Sequence, residues 1–267
     1  MAKIRLDQLV FDKGYAESRE RAKAIVMSGC VFIDGQRADK PGAQVNPDTE
    51  IDVRIKDLPF VSRGGYKLDK ALKVFPVNPE GRICIDCGAS TGGFTDVLLQ
   101  HGAKKVYSVD VGYGQLAWKL RSDERVVNLE RTNLRYVTFE QIPEKLSLAV
   151  CDVSFISVKL IIPAVSALLE DEADYITLIK PQFEAGRELV GKKGVVRDSA
   201  VHESVIQGIL DFIPSCGFKA AGLDYSPVKG PEGNIEFLLY MKKTGKNIAA
   251  EIDVKKVVEA AHTELKQ

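Results

Sequence analysis

The chain offers its chemistry in two forms, a glycine-rich turn after an apolar run and four charged residues at the edges of other runs. Cys84-Ile85-Asp86-Cys87 runs into Gly88-Ala89-Ser90-Thr91-Gly92-Gly93-Phe94. A glycine at 88 lets backbone come close to a ligand, while Gly92 and Gly93 open a helix whose first amides can hold a carboxylate. Asp110 closes the next apolar run, where an acid in related folds bonds ribose hydroxyls. Lys180 follows Tyr175-Ile176-Thr177-Leu178-Ile179, and Pro181 turns the chain out of that strand. Lys67 falls early in a helix whose Leu68, Ala71, Leu72 and Phe75 face inward; there the positive end of the helix dipole favours a neutral amine. Asp152 closes a further run, and Glu236 sits in the last strand, Asn234-Ile235-Glu236-Phe237-Leu238. Taken singly, each of these charges reads as an ordinary strand-end or surface residue.

Other chemistries overlap the same stretches. Gly88 to Gly92 fits the G-x-S-x-G of a hydrolase elbow, with His202 or His262 as base. Such an elbow normally follows several strands of its sheet, and here only a small front module precedes it. Gly112 to Ala117 fits G-x-G-x-x-A, with Glu130 further on, but a dinucleotide site there would orphan the turn at Asp86. Cys84 and Cys87 are spaced C-x-x-C on a strand, where i and i+3 point to opposite faces. The three histidines lie far apart in sequence without ligand spacing, so no metal is expected.

The elements that must position these residues alternate. Strands are expected at 82–86, 105–110, 125–130, 146–152, 175–180, 219–225 and 234–241, with helical stretches between most of them. Only a Pro/Gly-rich loop, Ser226 to Gly233, joins the last two, which suits an antiparallel pair at one end of the sheet. The expected fold class is α/β: a seven-stranded doubly wound, Rossmann-like methyltransferase domain at 61–267, with a small α+β domain at 1–60. S-adenosylmethionine has a carboxylate and no phosphate, which matches the turn. The fourth strand ends Asp152-Val153-Ser154-Phe155 and lacks the Asn/Asp-Pro-Pro-aromatic motif common in base-amino methyltransferases.

At the front, Leu6, Leu9 and Val10 have helical spacing up to Gly14, and Ser18 caps a second helix with Ala22, Ile25 and Val26 inward. Val31-Phe32-Ile33 enters Asp34-Gly35, a hairpin dipeptide, and Ile51, Val53 and Ile55 alternate with polar residues. Arg19 and Lys23 share one helix flank and Arg21 lies on another.

Composition bounds the rest. The 267 residues suffice for one medium domain and an appendage, at roughly 100 to 200 residues per domain. No uncharged run exceeds ten residues, against about 18 for a helical membrane span. Lys3, Arg5 and Asp7 interrupt any signal-peptide core, and five scattered cysteines make a poor disulfide framework, so a reducing cytoplasm is expected. The 37 basic and 37 acidic residues cancel, yet 54–73 carries six basic and two acidic residues and 177–197 five and two.

Arg5-Leu6-Asp7-Gln8-Leu9, Ser18 to Lys23 and Gly29 to Gly35 resemble the RNA-binding domain of the small-subunit ribosomal protein S4 superfamily. Ser62-Arg63-Gly64-Gly65-Tyr66-Lys67-Leu68, Asp86 to Phe94, Asp110 to Leu116, Asp152 to Ser157, Lys180 to Glu184 and Gly233 to Phe237 resemble the TlyA family. The resemblance implies an S-adenosylmethionine-dependent ribosomal-RNA 2′-O-ribose methyltransferase, an FtsJ-like domain behind an RNA-binding module, acting on ribosomal RNA or ribosomal subunits. It implies a Lys-Asp-Lys-Glu tetrad of Lys67, Asp152, Lys180 and Glu236, with Glu232 the competing glutamate in a loop. Lys180 could take the proton of the ribose hydroxyl or stabilise the alkoxide, and no metal is required. The cofactor candidates are Asp86, Gly88, Ser90, Thr91, Gly92, Gly93, Phe94, Asp110 and Asn133; the RNA-binding candidates are Arg5, Arg19, Arg21, Lys23 and Arg63. The rival readings are a non-catalytic RNA-binding assembly factor and, from the haemolysin name some of the family carry, a membrane-active protein. For the latter, Ile252 to Leu265 reads more simply as a docking helix.

Overall fold

Leu6, Leu9 and Val10 fall on one face of a short helix because three- and four-residue spacings coincide there. The structure is a computed structural model that describes residues 3–16, 18–54, 59–246, 248 and 250–265. Two compact units divide the chain, Met1–Gly65 and Tyr66–Gln267.

In the first unit, β1 (Ile4–Arg5) leads directly into α1 (Leu6–Asp12), and α2 (Arg19–Met27) follows. The Ser18 hydroxyl caps α2 by accepting from the Arg21 amide at 3.1 Å. Next come β2 (Val31–Ile33), β3 (Gln36–Arg37), β4 (Gln44–Val45) and β5 (Asp52–Val53). Asp34 and Gly35 both have positive φ, +50° and +74°, as the tight turn between β2 and β3 requires. Strand order is β3-β2-β5 in one small sheet, and β1 pairs β4 in another. Leu6, Leu9, Val10, Ala22, Ile25, Val26, Cys30, Val31 and Ile51 form the core. Ile55, expected to extend the last strand, lies outside the described residues.

The second unit opens with α3 (Gly64–Val74), which begins at the boundary and buries Leu68 and Ala71. Then come β6 (Ile83–Cys87), α4 (Gly93–Gln100), β7 (Lys105–Val109), α5 (Trp118–Arg121), β8 (Val126–Leu129), β9 (Leu146–Cys151) and α6 (Ile162–Leu168). β10 (Leu169–Ile179), α7 (Pro181–Glu184), α8 (Ser199–Leu210), β11 (Phe218–Tyr225), β12 (Phe237–Lys243) and α9 (Val254–Glu264) complete it. The sheet runs β11-β12-β10-β9-β6-β7-β8, parallel except for β12, which lies antiparallel between β10 and β11. Its central strands read as apolar runs because helices cover both faces. Strand order reverses direction at β6, so the carboxyl ends of β6 and β9 flank the switch point where such sheets bind ligands.

Two boundaries differ from the sequence reading. β10 starts at Leu169 rather than Tyr175, because its register with β9 shifts between Leu169 and Asp174 around Glu172, whose φ is +65°. β12 starts at Phe237, so Glu236 precedes the strand instead of lying in it. The Asn234 side chain accepts from the Val196 amide at 3.0 Å and the Glu236 carbonyl from the Ser226 amide at 2.8 Å, bonds that hold 234–236 among loops.

Candidate active site

The turn after β6 is tight for a reason internal to the fold. Gly88 has φ +84°, and a Cβ there would lie 3.0 Å from the Asp152 carbonyl oxygen and 3.2 Å from Val153 Cα. The backbone that glycine 88 admits is that of the end of β9. Gly92 is fixed by packing, since a Cβ would meet Leu120 at 2.2 Å and Leu116 at 2.8 Å. Ser90, also left-handed at φ +48°, donates its amide to Asp110 Oδ2 at 2.8 Å and its hydroxyl to Gln115 at 3.2 Å. Asp110 Oδ1 accepts from the Gly112 amide at 2.6 Å, so the acid ties the turn to the end of β7.

Asp86 is fully buried. Its Oδ2 accepts from the Thr95 amide at 2.9 Å and the Thr95 hydroxyl at 2.7 Å, and that hydroxyl contacts Ser108 Oγ at 2.7 Å. The first turn of α4 thus already carries a carboxylate of the protein's own, where the sequence left those amides open to a ligand. Among the described residues Asp86 Oδ1 has no hydrogen-bond partner. Burial pushes the Asp86 carboxyl up to about 7; the Thr95 bonds oppose that rise and the nearby Asp152 and Asp110 charges add to it. Phe94 is buried and anchors α4 in the core, Gly93 is buried beside it, and Thr91 accepts the Ala117 amide through its carbonyl at 3.1 Å. Asn133 is exposed and caps the turn at Leu134–Tyr136 by accepting from the Arg135 amide at 3.1 Å, while the neighbouring Thr132 amide donates to the Asp110 carbonyl at 2.9 Å.

The four tetrad candidates, drawn from α3, the end of β9, the end of β10 and the loop before β12, form one connected chain. Lys67 Nζ donates to Glu236 Oε2 at 2.7 Å and to Asp152 Oδ2 at 3.1 Å. Lys180 Nζ pairs with Asp152 Oδ1 at 2.6 Å and donates to Ser154 Oγ at 2.8 Å. Burial alone would lower the Lys67 ammonium's pKa, but the Asp152 and Glu236 charges outweigh it and raise that pKa. The neutral Lys67 expected from its place near a helix N-terminus is thus corrected: two carboxylates in contact overwhelm a partial dipole charge. For Asp152, burial works upward, yet Lys67 and Lys180 together hold the carboxyl down at about 2. Glu232 is exposed in its loop and Glu236 is the member brought in.

The rival chemistries separate in space. Ser90 bonds Gln115, while His202 is buried, with Nδ1 2.9 Å from His262 Nε2 and Nε2 3.2 Å from the Val196 carbonyl. Histidines 202 and 262, far apart in sequence, are thus partners between α8 and α9, and burial lowers the His202 pKa to about 4. No group of three metal-ligating side chains occurs among the described residues, and their five cysteines are free. No helix among them is long and apolar enough to cross a membrane.

Sequence reasoning passed over Ser154, which touches Lys180, and Phe155, which is 91% exposed with φ +64° and has its ring 5.2 Å from that of Phe183. Their signal was position, two and three residues after Asp152 within the stretch 152–157. In the first unit Arg19, Arg21 and Lys23 are exposed, Arg5 forks onto Asp7 at 2.9 and 2.7 Å, and Arg63 pairs with Asp39 at 2.6 Å.

Sheets with this strand order and switch point are those of the S-adenosylmethionine-dependent methyltransferases, so topology sets the class. The chain belongs to the family of FtsJ-like methyltransferases, whose profile matches residues 60–243, and to the TlyA proteins within it, with an S4 domain at residues 4–51. A candidate rRNA methyltransferase of Bacillus subtilis, YqxC, is 50% identical over 99% of this chain and 96% of its own length. The 16S/23S rRNA (cytidine-2′-O)-methyltransferase TlyA of Mycobacterium tuberculosis is 43% identical over 90% of each chain. The solved structure of a candidate hemolysin from Streptococcus thermophilus superimposes with a TM-score of 0.80 at 48% identity, covering 100% of this chain and 98% of that one.

Proposed function

We propose that the protein methylates a ribose 2′-hydroxyl of ribosomal RNA, with Lys67, Asp152, Lys180 and Glu236 as its catalytic residues. The observation that carries this reading is the connected chain Glu236–Lys67–Asp152–Lys180 at the carboxyl edge of the sheet, 2.6 to 3.1 Å between successive members. A ribose hydroxyl is a poor nucleophile at neutral pH and needs a base as its oxygen attacks. Lys67 is committed as a cation to two carboxylates, whereas Lys180 shares one carboxylate and a neutral hydroxyl. Lys180 in its neutral form takes the hydroxyl proton, Asp152 stabilises the ammonium that results, and Lys67 with Glu236 holds Asp152 in place.

The residues fit the cofactor. The unpartnered Asp86 Oδ1 is an acceptor for the ammonium of S-adenosylmethionine, and Asp110 keeps a lone pair on each oxygen for ribose hydroxyls. The turn at Gly88 to Gly93 closes that side of the site, and Asn133 lies beyond Asp110. When bound, S-adenosylmethionine supplies an electrophilic methyl group. Phe155, exposed beside Ser154, offers a ring face to the acceptor base.

The first unit, Met1–Gly65, grips RNA through Arg19, Arg21 and Lys23 on α2, with Arg5 and Arg63 beside their acid partners as further phosphate contacts. A ribosomal substrate supports a cytoplasmic location, with RNA within a ribosomal subunit as the proposed acceptor. The test is to incubate purified protein with unmodified ribosomal subunits and S-adenosylmethionine and to map ribose methylation. A new 2′-O-methyl that disappears in Lys180→Arg supports the reading; methylation on a base, or none, rejects it.

A further inference from the structure

Glu184 closes α7, the single helical turn that Lys180 opens as its N-cap. The Glu184 carboxylate reaches back to the loop after Asp152: Oε2 accepts from the Ser157 hydroxyl at 2.6 Å and Oε1 from the Val158 amide at 2.8 Å. The Ser157 oxygen in turn accepts from the Lys159 amide at 3.2 Å, so the start of the turn Val158–Leu160 is fully engaged. Two further links join the same segments, Lys180 to Ser154 at 2.8 Å and the rings of Phe155 and Phe183.

Burial raises the pKa of the Glu184 carboxyl, and among the described residues no cation pairs with it at salt-bridge distance. A partly buried carboxylate without an ion pair costs desolvation, and what it returns here is two oriented hydrogen bonds. Those bonds matter because the loop they hold is irregular and carries Phe155 in the left-handed region, a conformation that persists for a bulky residue only where its surroundings impose it. Both the ring and Lys180 stand on segments that meet at Glu184.

We infer that Glu184 is a positioning residue of the acceptor site, clamping the loop after Asp152 to the turn after Lys180 and so setting where Phe155 and Lys180 stand toward the incoming nucleoside. This rests on the methyl-transfer reading for the word acceptor, whereas the clamp stands on the hydrogen bonds. Loss of the clamp moves the reacting groups while leaving the Asp86 and Asp110 edge intact, and a misplacement of about 1 Å can cost about 100-fold in rate. Glutamine keeps both links, because its amide oxygen accepts from Val158 and its amide nitrogen donates to the Ser157 oxygen.

Wild type, Glu184→Ala and Glu184→Gln are compared on ribosomal subunits for kcat and KM, by calorimetry for S-adenosylmethionine and by hydrogen exchange over 153–158. Expected for Glu184→Ala are exchange in that segment faster by tenfold or more, kcat/KM for the subunit down by about 10- to 100-fold and cofactor Kd within twofold of wild type. Glu184→Gln recovers most of both losses. The inference is overturned if Glu184→Ala exchanges and turns over like wild type, if cofactor affinity falls in step with turnover, or if Glu184→Gln is as impaired as Glu184→Ala. A wild-type protein that transfers no methyl group rejects the methylation reading, and the exchange result still decides on the clamp.

Discussion

Lys67 and Lys180 share Asp152 but differ in what else they hold, and that difference assigns their roles. Lys67 is pinned between Asp152 and Glu236, and its removal leaves two buried carboxylates without the cation that separates them. Breaking a buried pair from one side costs about 3 to 5 kcal/mol. Lys67→Met therefore lowers the stability of the second unit by that order in urea unfolding, and adding Glu236→Gln recovers part of it by removing one of the stranded charges. A double variant no more stable than the single one would show that Glu236 does not depend on Lys67. In the proposed mechanism Lys180 is the residue that carries the proton. Arginine keeps the positive charge but does not accept a proton at neutral pH. Lys180→Arg will bind cofactor and RNA nearly as wild type and lose methylation by about 100-fold or more, as expected for a missing general base. Near-wild-type turnover would reduce Lys180 to charge stabilisation.

Among the elements, the junction of β6 and α4 makes the cofactor edge sensitive to pH. Asp86 has its carboxyl at about 7 because it is buried, and its second oxygen is unpartnered. The folded chain holds this proton more tightly than the unfolded chain, where an aspartate titrates near about 3.9. Ionising Asp86 therefore destabilises the protein without cofactor progressively as pH rises from about 4 to about 7. A bound ammonium prefers the ionised acid, so cofactor affinity moves the other way. From pH 6 to 7.5 the Kd for S-adenosylmethionine tightens by roughly eightfold, and Asp86→Asn flattens that slope. A wild-type Kd independent of pH over this range would mean that Asp86 does not meet the cofactor's cation. Much of this junction was legible in the sequence, since an acid followed by glycines after an apolar run fixes strand, turn and helix locally. The same holds for the Asp34-Gly35 hairpin and for all seven strands of the large sheet to within a few residues, apart from the early start of β10. There, Glu170, Asp171 and Glu172 fell outside the expected strand because their charge interrupts the apolar run, and they form an exposed strand end with a register shift. The resemblance grouped Lys67 with Asp152 and Glu236, but the residues alone did not show that both acids touch it: Asp152 is 85 residues away and Glu236 is 169, and only the assembled sheet decides that two acids outweigh a helix dipole. The histidine pair across α8 and α9 escaped for the same reason, a separation of 60 residues.

For the whole molecule, zero net charge covers two units that share one chain, and the proposed function divides its labour between them. Among the described residues the first unit contains no acid–base chain like the one in the second, and it presents Arg19, Arg21 and Lys23 to solvent on a helix capped by Ser18. Arginines and lysines that neutralise phosphates release counterions, so each contact adds close to one unit to the salt dependence of binding. Replacing Arg19, Arg21 and Lys23 together by alanine touches only exposed side chains, and helix α2 keeps its cap and its buried Ala22, Ile25 and Val26. The triple variant will bind ribosomal RNA more weakly, with the slope of log affinity against log salt reduced by up to about three. Its Kd for S-adenosylmethionine stays that of the parent, because Asp86, Asp110 and the turn between them belong to the other unit. Turnover on ribosomal subunits will fall chiefly through KM, since the chain from Glu236 to Lys180 is untouched and only the capture of substrate is impaired. An unchanged salt slope would place the RNA grip elsewhere, and a fall in kcat at saturating substrate would show that the first unit takes part in the chemical step.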